Sequence, residues 1–210
     1  MFRQIDGNIR MPGRLETLMK HILAFLFLCL APIAQSAAAA PLEPDAARQA
    51  AQGVVAEVLD ALARKDFTKL ASSIGEEGLI VSPYVMIDGG DVRLSRAEVE
   101  NCATNPQMRR WGEKDGSGDP IEANCSRYFH EFVWNADYRK ANEVLYNEPR
   151  QRGNEINNNH EFAPNGIVVE LHIRGKSIET ELEWKILRLI FRRSDQGLSL
   201  IAITRDVWTI

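Results

Sequence analysis

The chain has 210 residues, with 25 Lys and Arg against 29 Asp and Glu, and a formal net charge of −4. This acidic balance argues against nucleic acid as a partner, because binding to phosphates needs a basic surface. For the same reason it disfavours an anionic membrane surface.

The N-terminal region predicts export. Lys20 precedes an apolar run at 22–31, and small residues fill 36–40. These features are typical of a secretory signal peptide, and a run of about ten residues is well short of the roughly twenty that a spanning helix needs. We therefore predict a signal peptide at 1–40 that is cleaved within 36–40. The mature protein is then periplasmic or extracellular, without a stable membrane span.

Residues 41–210 have the usual size of a single domain. Removing the leader takes four basic and two acidic residues away, so the remainder carries a net charge of −6. Its two cysteines, Cys102 and Cys125, can pair in an oxidising compartment, and such a bridge stabilises by about 3 kcal/mol. The alternative is two separate buried thiols.

Helical patterns dominate the first half of this domain. Apolar residues three and four apart predict a helix from Asp45 to Leu62, followed by a short helix at 67–74. Ser95 and Glu98 match a capping box, which predicts a helix over 96–103. Extended segments are expected at 79–87, interrupted at Ser82, and at 108–111. Apolar spacing predicts a further helix at 121–133.

The second half is polar and then strand-rich. Residues 135–165 are Asn-rich, and a long polar stretch within a domain often carries function. Apolar and polar residues alternate over 167–174, the period of a strand. Two more strands, 184–193 and 198–208, flank a hairpin turn at 194–197.

The hairpin register follows from pairing Arg193 with Leu198. By subtraction it places Arg188 opposite Ile203, and Lys185 opposite Asp206.

Glu170 and His172 share one face of their strand, and Arg188 is expected on a strand near it. An acid, an imidazole and a guanidinium on the concave face of a sheet can bind an anion or perform acid–base chemistry. The alternative is a solvated or mutually paired polar face. Arg188 lies between aliphatic residues, so it must reach solvent or find an acceptor. Glu170 is the candidate acceptor, and a ligand anion is the alternative.

Metal and cofactor motifs are not recognised. The oxygen-rich stretch 115–119 resembles the start of a calcium loop. However, the later positions at which such a loop requires a glycine for its sharp turn and a bidentate glutamate hold other residues. His130 and His160 have no zinc-ligand spacing. A phosphate-binding glycine loop, a nucleophile elbow and a Cys-x-x-Cys pair are also missing from the sequence. We expect no metal and no cofactor.

The order of elements, helices followed by a twisted antiparallel sheet, resembles the cystatin-like α+β fold of the NTF2-like superfamily. The resemblance implies a cone-shaped pocket between sheet and helices. Seven stretches are similar to a family of exported bacterial proteins for which the resemblance implies no particular activity: 82–84, 115–121, 146–147, 152–154 with 157–158, 169–172, 187–189 and 206–210. The Asp/Tyr and Asp/His dyads of enzymatic NTF2-like members have no identifiable match here.

Three functional hypotheses follow. The first is a non-catalytic exported protein that binds a small or extended polar ligand in the sheet's concavity. The second is a small isomerase, dehydratase or hydrolase that uses His172 or Glu170 as base and Arg188 to hold an anion. The third is a structural envelope protein. The candidate ligand-binding residues are Glu170, His172, Arg188, Tyr146, Arg152 and Asn154.

Overall fold

A computed structural model describes residues 40–152, 156–175 and 183–207. Residues 1–39 of the predicted signal peptide, Asn154 and the end of the last predicted strand lie outside these ranges. In the part of the chain that is described, no helix combines the length and the apolar character needed to cross a membrane.

The chain begins with helices. Helix α1, Pro44–Arg64, has Pro44 in its first turn and ends at Lys65 in the left-handed conformation. Helix α2, Phe67–Ser72, is capped by Asp66, whose side chain accepts a hydrogen bond from the Lys69 amide at 2.9 Å.

Strands β1, Leu79–Val81, and β2, Val92–Leu94, come next. Helix α3, Arg96–Glu100, follows them, and Ser95 and Glu98 form the predicted capping box. The expected extended run at 84–87 is wrong, because this segment is irregular.

A two-stranded arm follows, formed by β3, Met108–Glu113, and β4, Pro120–Asn124. The expected helix over 121–133 is wrong for its first part. Ile121 and Ala123 are buried and alternate with exposed Glu122, as in a strand. Helix α4, Cys125–Tyr128, and a π-helix, Phe129–Val133, then continue the chain.

The remaining elements build the main sheet and its cover. They are a 3₁₀ turn, Tyr138–Lys140, strand β5, Glu143–Tyr146, helix α5, Asn159–Phe162, and strands β6, Ile167–Ile173, β7, Lys185–Ser194, and β8, Gly197–Val207. The six strands lie in the order β2-β1-β8-β7-β6-β5, and every neighbouring pair except β1 with β8 is antiparallel. This confirms the expected α+β class with helices on an antiparallel sheet.

The disulfide between Cys102 and Cys125 is present, as predicted, with 5.1 Å between the two Cα atoms. It joins the segment after α3 to the start of α4. Cys102 is fully buried, so the bridge is part of the core.

Alternation along the strands divides the sheet into two faces. The inner face packs against α1, and Val169, Leu171 and Leu189 belong to the same hydrophobic cluster as Val55 and Leu59. Aromatic side chains also fill this cluster: Phe67, Trp111, Tyr128, Phe129 and Tyr138. The outer face carries the intervening residues and a smaller apolar cluster that includes Ile190 and Ile201.

Candidate functional site

The outer face of the sheet carries two polar rows side by side. Strand pairing aligns the first row across four strands: Glu143, His172, Ile186 and Asp206. The second row lies two residues along each strand: Leu145, Glu170, Arg188 and Thr204. The predicted trio Glu170, His172 and Arg188 therefore shares one face, on the side of the sheet away from α1. The space between helices and sheet is filled by apolar side chains, and the trio does not line it.

Glu170 lies at the centre of this face and is held by two guanidinium groups. Arg188 Nε donates to Glu170 Oε2 at 2.9 Å, and Arg152 Nε donates to Glu170 Oε1 at 2.7 Å. The side chains of Glu170 and Arg188 are 5% and 1% exposed. The predicted acceptor for Arg188 is thus confirmed. Because each oxygen of Glu170 already accepts from a cation, this carboxylate is a weak candidate for a general base.

Asp206 extends the network on the other side of Arg188. Its Oδ2 atom lies 3.7 Å from Arg188 Nη2, and its side chain is 7% exposed. The expected pairing of Asp206 with Lys185 is wrong, because Lys185 lies opposite Val207 and donates to the Asn135 carbonyl at 3.2 Å.

Glu143 and His172 form the more accessible part of the network. Glu143 lies directly opposite His172 and accepts hydrogen bonds from Arg150 and Arg152. Hydrogen bonding from Arg152 lowers the pKa of Glu143. Its Oε2 atom lies 3.8 Å from His172 Nδ1, and Trp184 approaches the imidazole with 6.4 Å between ring centroids.

His172 is held in its neutral form. Burial lowers its pKa, and the positive charge of Arg152 lowers it further. An imidazole with a pKa below the ordinary value of about 6.5 is uncharged at neutral pH. It therefore offers one donor and one acceptor nitrogen to a neighbouring group.

Two buried polar atoms of this network lack hydrogen-bond partners within the described ranges. They are His172 Nδ1 and Arg188 Nη1. Buried nitrogen atoms normally have a partner, so each is a place where a ligand atom or a water molecule can bind. Arginines and carboxylates pair throughout the network: Arg152 and Arg188 contact Glu143, Glu170 and Asp206, and Arg150 at its edge contacts both Glu143 and Glu148.

Asparagine side chains hold the polar segment over this face. Asn159 is fully buried, donates to the Val85 carbonyl at 2.7 Å and accepts from Thr204 Oγ1 at 3.0 Å. Asn158 exchanges two hydrogen bonds with the backbone of Ile87. The Asn-rich composition thus serves to attach α5 and the 84–87 segment to the sheet.

The other candidate residues are placed differently. Tyr146 lies opposite Val169 on the inner face, where Arg48 stacks on its ring at 5.5 Å, so it is separated from the trio by the sheet. Arg152 lies in the network, where its Nε atom donates to Glu170. Glu143 was missed as a site residue, because the sequence analysis treats 135–165 as a polar stretch and expects no strand there, whereas β5 pairs with β6 and places Glu143 opposite His172.

No protein-family model matches the chain, and no curated protein is similar to it in sequence. Solved structures that are similar to the chain include a designed NTF2 protein, at 10% identity and a TM-score of 0.34, covering 74% of this chain and 96% of that one.

Two natural proteins give similar values. One, from Streptomyces avermitilis, is described as a candidate dehydratase from the NTF2-like family; it is 11% identical with a TM-score of 0.30, over 78% of this chain and 97% of that one. The other, LinA, is 11% identical with a TM-score of 0.28, over 77% and 85%. At these identities and TM-scores the likeness concerns the fold alone.

Proposed function

We propose that this is an exported, non-catalytic binding protein whose ligand is a small polar molecule without net charge. The site is the outer-face network around His172, at its accessible edge beside Arg152, Glu143 and Trp184. The observation that carries the proposal is the internally paired network of arginines and carboxylates, in which two buried nitrogen atoms are left to pair, His172 Nδ1 and Arg188 Nη1.

The pairing of charges within the network selects the class of ligand. Glu170 neutralises Arg188 within hydrogen-bond distance, so an incoming anion would gain little from that guanidinium and would meet three carboxylates. A neutral ligand with hydroxyl or amide groups instead gives a donor or acceptor to His172 without adding a buried charge.

Export is supported by the signal-like sequence at 20–40, and the disulfide between Cys102 and Cys125 is compatible with an oxidising compartment. The ligand would then be a solute of the periplasm or of the medium.

The test uses side-chain imidazole resonances of the ¹⁵N-histidine-labelled protein. Titration with glucose, N-acetylglucosamine and acetamide, as neutral probes, should shift the His172 resonances for at least one of them, whereas acetate and phosphate should leave them unchanged. His172→Gln should abolish that binding, which is followed by calorimetry because this variant has no His172 resonance. His130→Gln is the matched control, since His130 is exposed outside the network. A response to the anions alone would contradict the proposal, and failure of all neutral probes to bind would favour the structural hypothesis.

A second candidate is a small acid–base enzyme, favoured by the neutral imidazole 3.8 Å from the Glu143 carboxylate. In that case His172 accepts a proton from substrate and Glu143 stabilises the resulting imidazolium. Turnover of p-nitrophenyl acetate that His172→Gln eliminates would favour the hydrolase form of this function. Equal rates for the two proteins would oppose it.

A further inference from the structure

A groove lies between the turn that follows α5 and the end of β7, near the β7–β8 hairpin and beyond the polar network. Its volume is about 290 Å³, close to the lower end of the range for small-molecule sites, and its walls combine apolar residues with two arginines. Helix α5 separates it from the network, since Asn159 at the start of α5 contacts Thr204, whereas Phe162 at its end packs against the apolar cluster. We call this feature the hairpin groove.

A β-bulge forms the floor of the hairpin groove. Ile190 pairs with Ala202 and Phe191 pairs with Leu200, so Ile201 is an extra residue in β8. The bulge places Ile201 and Ala202 in succession in the outer-face cluster. Bulges redirect side chains and are common beside functional sites.

A tight turn after α5 forms one wall. The Gly166 amide donates to the Ala163 carbonyl at 2.9 Å. A Cβ atom on Gly166 would lie 2.4 Å from the carbonyl oxygen of Phe191, so only glycine lets this turn approach β7 so closely. The wall is therefore fixed against the sheet, and a ligand would meet a preformed surface.

The rim of the groove is cationic. Arg192 forms an ion pair with Glu77 at 2.7 Å and has a side chain that is 56% exposed. Arg193 donates to the Ala40 carbonyl at 2.8 Å, and no carboxylate in the described ranges forms an ion pair with it. Because a carbonyl group is neutral, it leaves the positive charge of Arg193 uncompensated. The Arg193 guanidinium can therefore bind an anion.

From this geometry we propose that the hairpin groove binds a small organic anion, a carboxylate with a short hydrocarbon chain. The carboxylate pairs with Arg193 at the rim, and the chain lies on Phe162 and Ile201 at the floor. This site is separate from the proposed neutral-ligand site and does not depend on it.

The same chemistry could come from a free molecule or from an anionic lipid in a membrane. The small groove and the net charge of −6 over 41–210 favour the free molecule, because an acidic protein is repelled by an anionic surface.

The test measures binding of octanoate to the purified protein by calorimetry and by the methyl resonances of Ile201. Octanoate should bind at least about tenfold more tightly than 1-octanol, which lacks the charge, and than acetate, which lacks the chain. Arg193→Gln should weaken octanoate binding about tenfold and leave 1-octanol unchanged. Arg64→Gln is the matched control on an exposed, paired arginine of α1 and should have no effect.

Three results would overturn the proposal. The first is octanoate binding that leaves the Ile201 methyl groups unshifted. The second is an equal loss of affinity in Arg193→Gln and Arg64→Gln. The third is sedimentation of the protein with phosphatidylglycerol vesicles without any binding of free octanoate, which would assign the groove to membrane lipid.

Discussion

Arg188→Met tests whether the central ion pair is structural. The substitution keeps an unbranched apolar side chain in place and removes a charge that is 1% exposed, 2.9 Å from Glu170 and 3.7 Å from Asp206. Removing one partner of a buried pair costs about 3–5 kcal/mol, because the other charge stays buried without it. Glu170 keeps its hydrogen bond from Arg152, so we expect the low end, about 3 kcal/mol.

The assay is thermal unfolding followed by circular dichroism. For a domain of this size about 1 kcal/mol shifts Tm by about 2–4 °C, so the expected loss is about 6–12 °C. Adding Glu170→Gln to the Arg188→Met protein should restore at least about 1 kcal/mol of the lost stability, since Arg152 still has Glu143 as a partner.

The matched control is Arg192→Met, the same change on the same strand and face. The Arg192 side chain is 56% exposed, and exposed ion pairs contribute about 0–1 kcal/mol, so its Tm should change by a few degrees at most. Equal Tm values for Arg188→Met and the parent protein would refute the structural role of the pair. Such a result would mean that Arg188 is available to a ligand.

Three further predictions concern the disulfide, export and pH. Replacing Cys102 and Cys125 by Ala should lower the free energy of unfolding by about 3 kcal/mol in urea titrations, since the bridge closes a loop with a sequence separation of 23. Mass spectrometry of a periplasmic extract should find an N-terminus between Ala37 and Pro41. The stability of the protein should fall as pH drops below about 6.5, because His172 has a lowered pKa and the unfolded chain takes up its proton first. His172→Gln should make that pH dependence shallower.

Each of these has an opposing outcome. Alkylation of two thiols in the unreduced protein would exclude the bridge, and an intact cytoplasmic chain would exclude export.

For pH, the sign of the effect is fixed by the direction of the pKa shift. The contribution of His172 to stability is complete above the pKa of the unfolded state and is lost as pH falls through the pKa of the folded state. The pKa of His160 is also lowered by burial, so His172→Gln should remove only part of the effect. A curve unchanged by His172→Gln would show that His172 titrates alike in both states.

Much of the central pair could be predicted from the sequence. Alternation over β6 puts Glu170 and His172 on one face, and the hairpin makes β7 available as a neighbouring strand, so the pattern alone makes Glu170 a candidate partner for Arg188. Which side of the sheet they face could not be predicted, since both faces of β6 are buried.

Arg152 and Glu143 join the network through tertiary structure. Arg152 reaches Glu170 from an irregular segment, and such a segment has no periodicity to show where its side chains point. The helix expected over 121–133 was wrong in its first part for a different reason. Ile121 and Cys125 fit a helical spacing, but the pairing of β3 with β4 makes the first part of this segment a strand.

The bulge at Ile201 explains the largest error in the expected register. Arg193 does pair with Leu198, and Phe191 with Leu200, but the extra residue moves every later partner by one position. A uniform register would place Arg188 opposite Ile203, an aliphatic neighbour that cannot compensate a buried charge. With the bulge, Arg188 lies opposite Thr204, and Asp206 comes within 3.7 Å of it. The same inserted residue therefore brings Asp206 to Arg188 in the polar network and supplies the apolar floor of the hairpin groove.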